Sequence, residues 1–277
     1  MKKILRFFCV SVLSCASLSV FAQDYEWTTI WMDGSRTGCV ASSKDNVDEA
    51  LGKVRRGKYI SPSGRTFKKN SCTAKIARAV IAVQPQMARV KEVVGYAPES
   101  IYKAYPESPL SNMFVDRIMA AVQELSGKRV DVGVGNFGGI RLDELKGDIL
   151  LDDMLSMFPF KNQVVYVAQK GSVIRQWLEK MAAGNFQVLG GVTVEAEDGK
   201  LVKALIGGEP IDDDKVYGVA TISFLLNGGD RLNLGAGAVE TEVFDVDVID
   251  IMLDYVKGLA VSGKPVTYSS DSRVVIR

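Results

Sequence analysis

The chain of 277 residues contains no histidine. Without imidazole it cannot build a His-rich zinc or two-metal hydrolase centre, and no Ser or Cys nucleophile can hand its proton to a histidine base. Charge of one sign is also lacking. With 34 Lys+Arg against 33 Asp+Glu, the whole-chain balance points to neither nucleic acid nor a membrane surface as partner. Cysteines number only four, no internal repeat is visible, and no transmembrane segment is expected. What is present, 47% apolar and 24% charged residues, suffices for one large domain or two modest ones and excludes disorder and fibrous repeats.

Met1 to Ala22 reads as a secretory signal: Lys2, Lys3 and Arg6 start it, Phe7 to Val20 is mostly apolar, and Val20-Phe21-Ala22 offers small residues for cleavage before Gln23. Export to the periplasm or beyond is the expectation. Val12-Leu13-Ser14-Cys15 reads alternatively as a lipobox, with the protein anchored through an acylated Cys15. Two cysteines remain after cleavage, Cys39 and Cys72. In an oxidising compartment a disulfide between them is the economical reading; two unpaired small hydrophobes are the alternative.

Residues 23–71 are polar, rich in Gly, Ser, Lys and Arg, and expected to be irregular. Their basic cluster, Lys53, Arg55, Arg56, Lys58, Arg65, Lys68 and Lys69, reads as a solvated face, with nucleic-acid binding the lesser option. From Thr73 the apolar residues Ile76, Val80, Val83, Met87, Val90 and Val94 step by fours and threes, which predicts a linker helix over 72–94, kinked or split by Pro85. Ser108, Pro109 and the stripe Leu110, Phe114, Ile118, Val122, Leu125 before Gly127 predict a second helix. Alternation then predicts a strand at Val130 to Val134, and further strands at Gln163 to Ala168, Val192 to Glu195, Leu201 to Ile206, Val216 to Ile222 and Arg273 to Ile276. Helices are expected at Leu151 to Met157, at Ser172 to Met181, and near Val248 to Tyr255. These elements make an α+β domain.

Gly133, Gly135 and Gly138 satisfy G-x-G-x-x-G after a strand. A dinucleotide fingerprint needs an apolar helix straight after the glycines, whereas Arg141 to Gly147 is polar and broken by glycine. The same stretch reads instead as a strand end opening into a loop that bears an amide, Asn136, and a guanidinium, Arg141, an anion and hydroxyl reader. A glycine turn with a surface arginine is the plainer option. Phe224-Leu-Leu-Asn227-Gly-Gly-Asp230 repeats the design, with an aromatic and a carboxylate on either side of a glycine turn. Together with Phe160, two aromatics and a carboxylate could converge on a flat, hydroxylated ligand. The acids Asp152-Asp153 and Asp212 to Asp214 read as solvent-facing rather than as a metal site.

Over roughly Cys72 to Arg277 the chain resembles the C-terminal, substrate-recognising domain of the 5'-nucleotidase and UDP-sugar hydrolase family. The resemblance rests on Ser111-Asn112, Asn136 to Arg141, Phe158-Pro-Phe160, Tyr217 to Thr221 and Phe224 to Asp230, in the family's order. It implies the mixed sheet with packed helices of that domain, preceded by a linker helix and a small N-terminal segment. It implies the base held between Phe160 and Phe224, Asp230 on the ribose hydroxyls, Arg141 on phosphate or ribose, and Asn136 on the base edge or sugar. Gly138, Gly139 and Asn227 complete that set.

Two departures stand out. The family's extra phosphate-binding arginine before the second helix has no counterpart in Tyr102 to Glu107, where Lys103 is the only cation. The N-terminal metallophosphatase domain, with its Asp, His and Asn ligands for two metals, has no counterpart either. Divalent metals are therefore expected only in a separate metallophosphatase chain, and this chain should recognise a nucleoside or nucleotide without hydrolysing it alone. A stand-alone nucleoside-binding protein is the alternative.

Overall fold

In a computed structural model the chain is described at Val40 and over residues 45–277; the fold is that of the unit Ser42–Arg277. The signal segment, Cys15 and Cys39 lie outside the described residues. Cys72 is a free, exposed thiol, so the expected Cys39–Cys72 disulfide is not found.

The segment expected to be irregular carries a short helix α1 (Val47–Leu51) and a small antiparallel sheet of β1 (Lys53–Arg55), β2 (Lys58–Ile60) and β3 (Thr66–Phe67). Its strands are only two or three residues long, too short for alternation to show in the sequence. Tyr59 and Phe67 stack across it at 5.6 Å. Helix α2 (Cys72–Met87) follows, capped by Ser71, whose hydroxyl accepts from the Ala74 N–H at 3.2 Å. The predicted linker helix ends here rather than at Val94, and Pro85 does not split it. Pro85 sits in the last turn, where its missing N–H costs one hydrogen bond and little helix follows to be redirected. Val93–Tyr102 forms strand β4 instead, its β-branched and aromatic residues pairing antiparallel with β6 (Glu144–Leu150).

Helix α3 (Pro109–Ser126) is built as its sequence signals announce. Ser108 and Ser111 cap its start reciprocally, and Gly127 ends it at φ 64°. Of its stripe, Leu110, Phe114, Ile118 and Val122 are fully buried, whereas Leu125 in the last turns is exposed. Beneath it lies a five-stranded sheet in the order β13-β7-β12-β5-β8, made of β5 (Val132–Gly135), β7 (Gln163–Lys170), β8 (Val188–Gly190), β12 (Val216–Ile222) and β13 (Glu240–Asp247). A second sheet, β11-β10-β9-β14, joins β9 (Val192–Glu197), β10 (Lys200–Ile206), β11 (Glu209–Pro210) and the C-terminal β14 (Val274–Ile276). Helices α4 (Leu151–Met157), α5 (Gly171–Ala182), α6 (Ser223–Leu226) and α7 (Val248–Val261) complete the unit. Val248, Met252 and Val256 of α7 are buried, while Ile251 and Tyr255 are only half so.

Charge chemistry ties the C-terminal strap to α3. Arg273, 9% exposed, grips both Asp271 carboxylate oxygens, through Nε at 2.8 Å and Nη2 at 2.6 Å, and reaches Asp116 at 2.8 Å. Burial alone would lower its pKa, but the hydrogen bonds to Asp271 and Asp116 outweigh this and hold the guanidinium above its ordinary value. The same arginine holds the Asp271 carboxyl below the usual range. Tyr268 donates to Asp116 at 2.6 Å. Glu107 accepts from the backbone N–H groups of Asp271, Ser272 and Val274 and from the Asn112 amide at 2.8 Å.

Candidate functional site

The sheet register brings three chain segments to one edge. β5 and β12 run parallel, with Val132 opposite Val219, so both point their C-terminal ends the same way. β7 runs antiparallel to β12, with Val164 opposite Ile222, so its beginning arrives at that same edge. Asn136 therefore leaves β5, Phe224 leaves β12 and Phe160 precedes β7 at a single rim. Two bonds clasp the turns: the Gln163 N–H donates to the Ser223 hydroxyl at 3.2 Å, and the Val248 N–H to the Asn162 carbonyl at 2.9 Å.

In Phe158-Pro159-Phe160 the two rings divide their tasks. Phe158 is buried and stacks on Phe114 at 5.5 Å, which anchors the turn, while Phe160 remains 46% exposed. In α6 the buried Leu225 plays the anchor and Phe224 is 43% exposed. Both half-exposed rings line one cavity of about 200 Å³ together with Asn136, Gly138, Gly139, Asn162 and Asp230.

Two glycines make room for this arrangement. A Cβ on Gly229 would lie 2.5 Å from the Phe224 ring, and one on Gly139 would lie 2.5 Å from the Asn136 side-chain oxygen. Asp230 takes a left-handed backbone, φ 49° and ψ 28°, and its carboxylate accepts from the Asn136 amide at 2.9 Å. That bond orients the Asn136 side chain and leaves its oxygen, Oδ1, buried without a partner. A buried acceptor with no donor costs about 1 to 3 kcal/mol, and the residue that bears it lines the cavity.

The remaining sequence candidates sit differently. The Arg141 guanidinium lies 5.9 Å from the Phe160 ring centroid and reaches the Gly138 carbonyl only at 3.5 Å, so it flanks the cavity beside that ring. Lys103 donates to the Ile140 carbonyl at 2.9 Å and pairs with Asp143 at 2.7 Å, which commits its ammonium to the chain itself. The Asn227 amide donates back to the Ser223 carbonyl at 3.3 Å, closing the α6 turn outside the cavity. Ser111 and Asn112 serve the α3 cap and the C-terminal strap.

Sequence reasoning missed Asn162, although it stands two residues past Phe160 in the same turn. It also missed an adjoining hollow of about 460 Å³ that shares Gly138 and Asp230 and is lined by Lys103, Tyr105, Phe137 and Gln187 among others. There the Gln187 side-chain oxygen accepts the Phe137 N–H at 3.3 Å. Nothing in the local pattern near Gln187 pointed to it. Among the described residues no group of three or more His, Cys, Asp or Glu could hold a metal ion. With no histidine in the chain, the residues do not fit a two-metal phosphatase centre. No helix among the described residues is long and apolar enough to cross a membrane.

The chain is similar to known proteins over the same region. Residues 87–235 match the profile of the 5'-nucleotidase C-terminal domain. Protein UshA of Escherichia coli strain K12 is 35% identical over 153 residues, covering 52% of this chain and 28% of that protein. The NAD 5'-nucleotidase of Haemophilus influenzae is 31% identical over 145 residues, covering 45% and 23%. The chain thus spans about a quarter of the length of the curated relatives it matches. Among solved structures, the 5'-nucleotidase precursor of Thermus thermophilus shares the fold at a TM-score of 0.63 and 24% identity, over 73% of this chain and 43% of that one. The NAD nucleotidase of Haemophilus influenzae does so at 0.55 and 19%, over 79% and 48%. Since the profile spans more than half of the sequence and covers the strand ends that carry Asn136, Phe160, Phe224 and Asp230, the chain belongs to the 5'-nucleotidase family through its C-terminal domain.

Proposed function

We propose that the chain is the nucleotide- or nucleoside-recognising subunit of a split 5'-nucleotidase, exported after removal of residues 1–22 and working with a separate metallophosphatase chain in nucleotide catabolism. The observation that carries the reading is one cavity lined by two half-exposed phenylalanines, Asn136 and Asp230. A purine or pyrimidine between Phe160 and Phe224 exposes both faces to stacking, which tolerates different bases. Asn136 Oδ1 and Asn162 read N–H groups on the base edge, and Asp230 accepts from the sugar hydroxyls. Arg141 sits beside Phe160, where it meets phosphate or ribose.

This division of labour leaves the metals, and with them the activation of the attacking water and the clamping of phosphate, to the partner. Lys103, neutralised by Asp143, adds little to phosphate affinity, so adenosine and AMP are expected to bind this chain alone with similar strength. Asp230→Asn preserves the side-chain shape and removes the charge. Calorimetry should show affinity for adenosine reduced on the order of tenfold or more, the range for hydrogen bonds to a charged group.

Mixing tests the whole reading. A metallophosphatase-only chain and this chain, combined with a divalent metal, should release phosphate from AMP faster than either alone. Phe224→Ala in this chain should cancel the gain. Equal rates with and without this chain, alongside intact adenosine binding, would leave a stand-alone binding protein.

A further inference from the structure

The neutral balance of the whole chain conceals a segregation. From Lys53 to Lys91 the sequence carries eleven Lys and Arg and no Asp or Glu, whereas residues 92–277 carry 18 cations against 27 acids. The basic stretch is a structural module made of the small β1-β2-β3 sheet and α2. Arg78 joins the two by donating to the Gly57 and Lys69 carbonyls at 2.9 and 3.0 Å. Arg55, Arg56, Lys58, Arg65, Lys68 and Lys69 are exposed on the sheet side. Among the described residues none of the eleven cations enters a salt bridge. The nearest preceding acids in the fold, Asp48 and Glu49, stand on α1.

Helix α2 faces the rest of the chain with Ala74, Ala77, Ile81 and Gln84, which are buried or half-buried. The residues whose spacing marked the apolar stripe face outward: Ile76 is 59% exposed, Val80 42%, Val83 44% and Met87 39%. A continuous apolar strip about three turns long is therefore exposed on the module that also carries the cations.

We propose that this module docks on an anionic phospholipid leaflet, the α2 stripe entering the boundary between headgroups and acyl chains and the cations lying among the headgroup phosphates. Both features are used at once by that occupant. Nucleic acid would satisfy the cations but leave the stripe in water. Two copies meeting through this module would cover the stripe while bringing eleven more positive charges against the first eleven.

The test is co-sedimentation of the chain 23–277 with phosphatidylcholine vesicles, with and without about 30% phosphatidylglycerol, at low and at about 0.5 M salt. Binding should be at least about tenfold tighter on the anionic vesicles and weaken at high salt. V80D/V83D should lose about tenfold or more, because the stripe can no longer enter the apolar boundary. R55Q/R56Q/K58Q should lose a similar factor by thinning the basic field. All these side chains are exposed, so unchanged thermal unfolding and adenosine affinity will show that the fold is intact. Equal binding to both vesicle types, or V80D/V83D binding like the native chain, would overturn the proposal. So would sedimentation equilibrium showing a dimer that V80D/V83D splits, or a random-sequence DNA duplex bound as tightly as the vesicles and indifferent to V80D/V83D.

Discussion

Phe224→Ala is expected to weaken adenosine binding by roughly 5- to 150-fold, the range that about 1 to 3 kcal/mol of stacking per base implies. The ring is 43% exposed at the cavity wall, so its removal strips one face of the base site without opening the core. Phe160→Ala should cost a similar factor, and also releases the Arg141 guanidinium from the ring it flanks. If the base lies between the two rings, the two losses are coupled rather than independent, because a base freed on one side can shift off the other. Phe224→Leu discriminates stacking from simple apolar cover: leucine keeps most of the buried area and loses the π-face. Calorimetry on the three variants, with melting temperatures to confirm the fold, should place Phe224→Leu between the native chain and Phe224→Ala.

Arg273→Ala is expected to have the largest effect on stability, about 1.5 to 3 kcal/mol, the range for hydrogen bonds to charged groups, because the guanidinium is buried while Asp116 and Asp271 remain partly exposed to water. At this size that corresponds to a melting temperature lower by about 5 °C. Its removal leaves Asp116 and Asp271 facing each other without their shared cation and unpins β14 from α3. Arg273→Lys should rescue only part of this, since an ammonium cannot serve Asp271 through two nitrogens while also holding Asp116 and the Leu189 carbonyl. The pH dependence has a definite sign. The Asp271 carboxyl is held below its ordinary value by Arg273, so its contribution is complete above the usual carboxylate range and fades as acidification carries the pH down through the depressed value. Thermal melts between neutral pH and about pH 3 should therefore fall less steeply for Arg273→Ala than for the native chain.

The parts of the fold that were legible in the sequence are those with long, local signals. Helix α3 announces itself through Ser108, Pro109 and Gly127, and β7, β9, β10 and β12 through alternation. Phe160, Phe224, Asn136 and Asp230 were recognisable as strand-end residues, but their convergence depends on the parallel pairing of β5 with β12, a long-range fact. Periodicity misread one place. The run from Ile76 to Val94 kept a helical spacing, yet its last part is strand β4, because pairing with β6 supplies what propensity did not show. The helical part, α2, turns its apolar stripe outward, and no pattern in a single sequence says which way such a stripe faces. Lys103 and Asn227 do not line the cavity; Asp143 and the Ser223 carbonyl, distant or local partners invisible to motif reading, occupy their polar groups.

The account turns on one cavity recognising a nucleoside, and calorimetric titration of the chain 23–277 with adenosine tests it most directly. The expected result is one-to-one binding that Phe224→Ala and Asp230→Asn each weaken by about tenfold or more, with AMP no tighter than adenosine. Absence of binding by the folded chain, or binding that both variants leave untouched, would contradict the account.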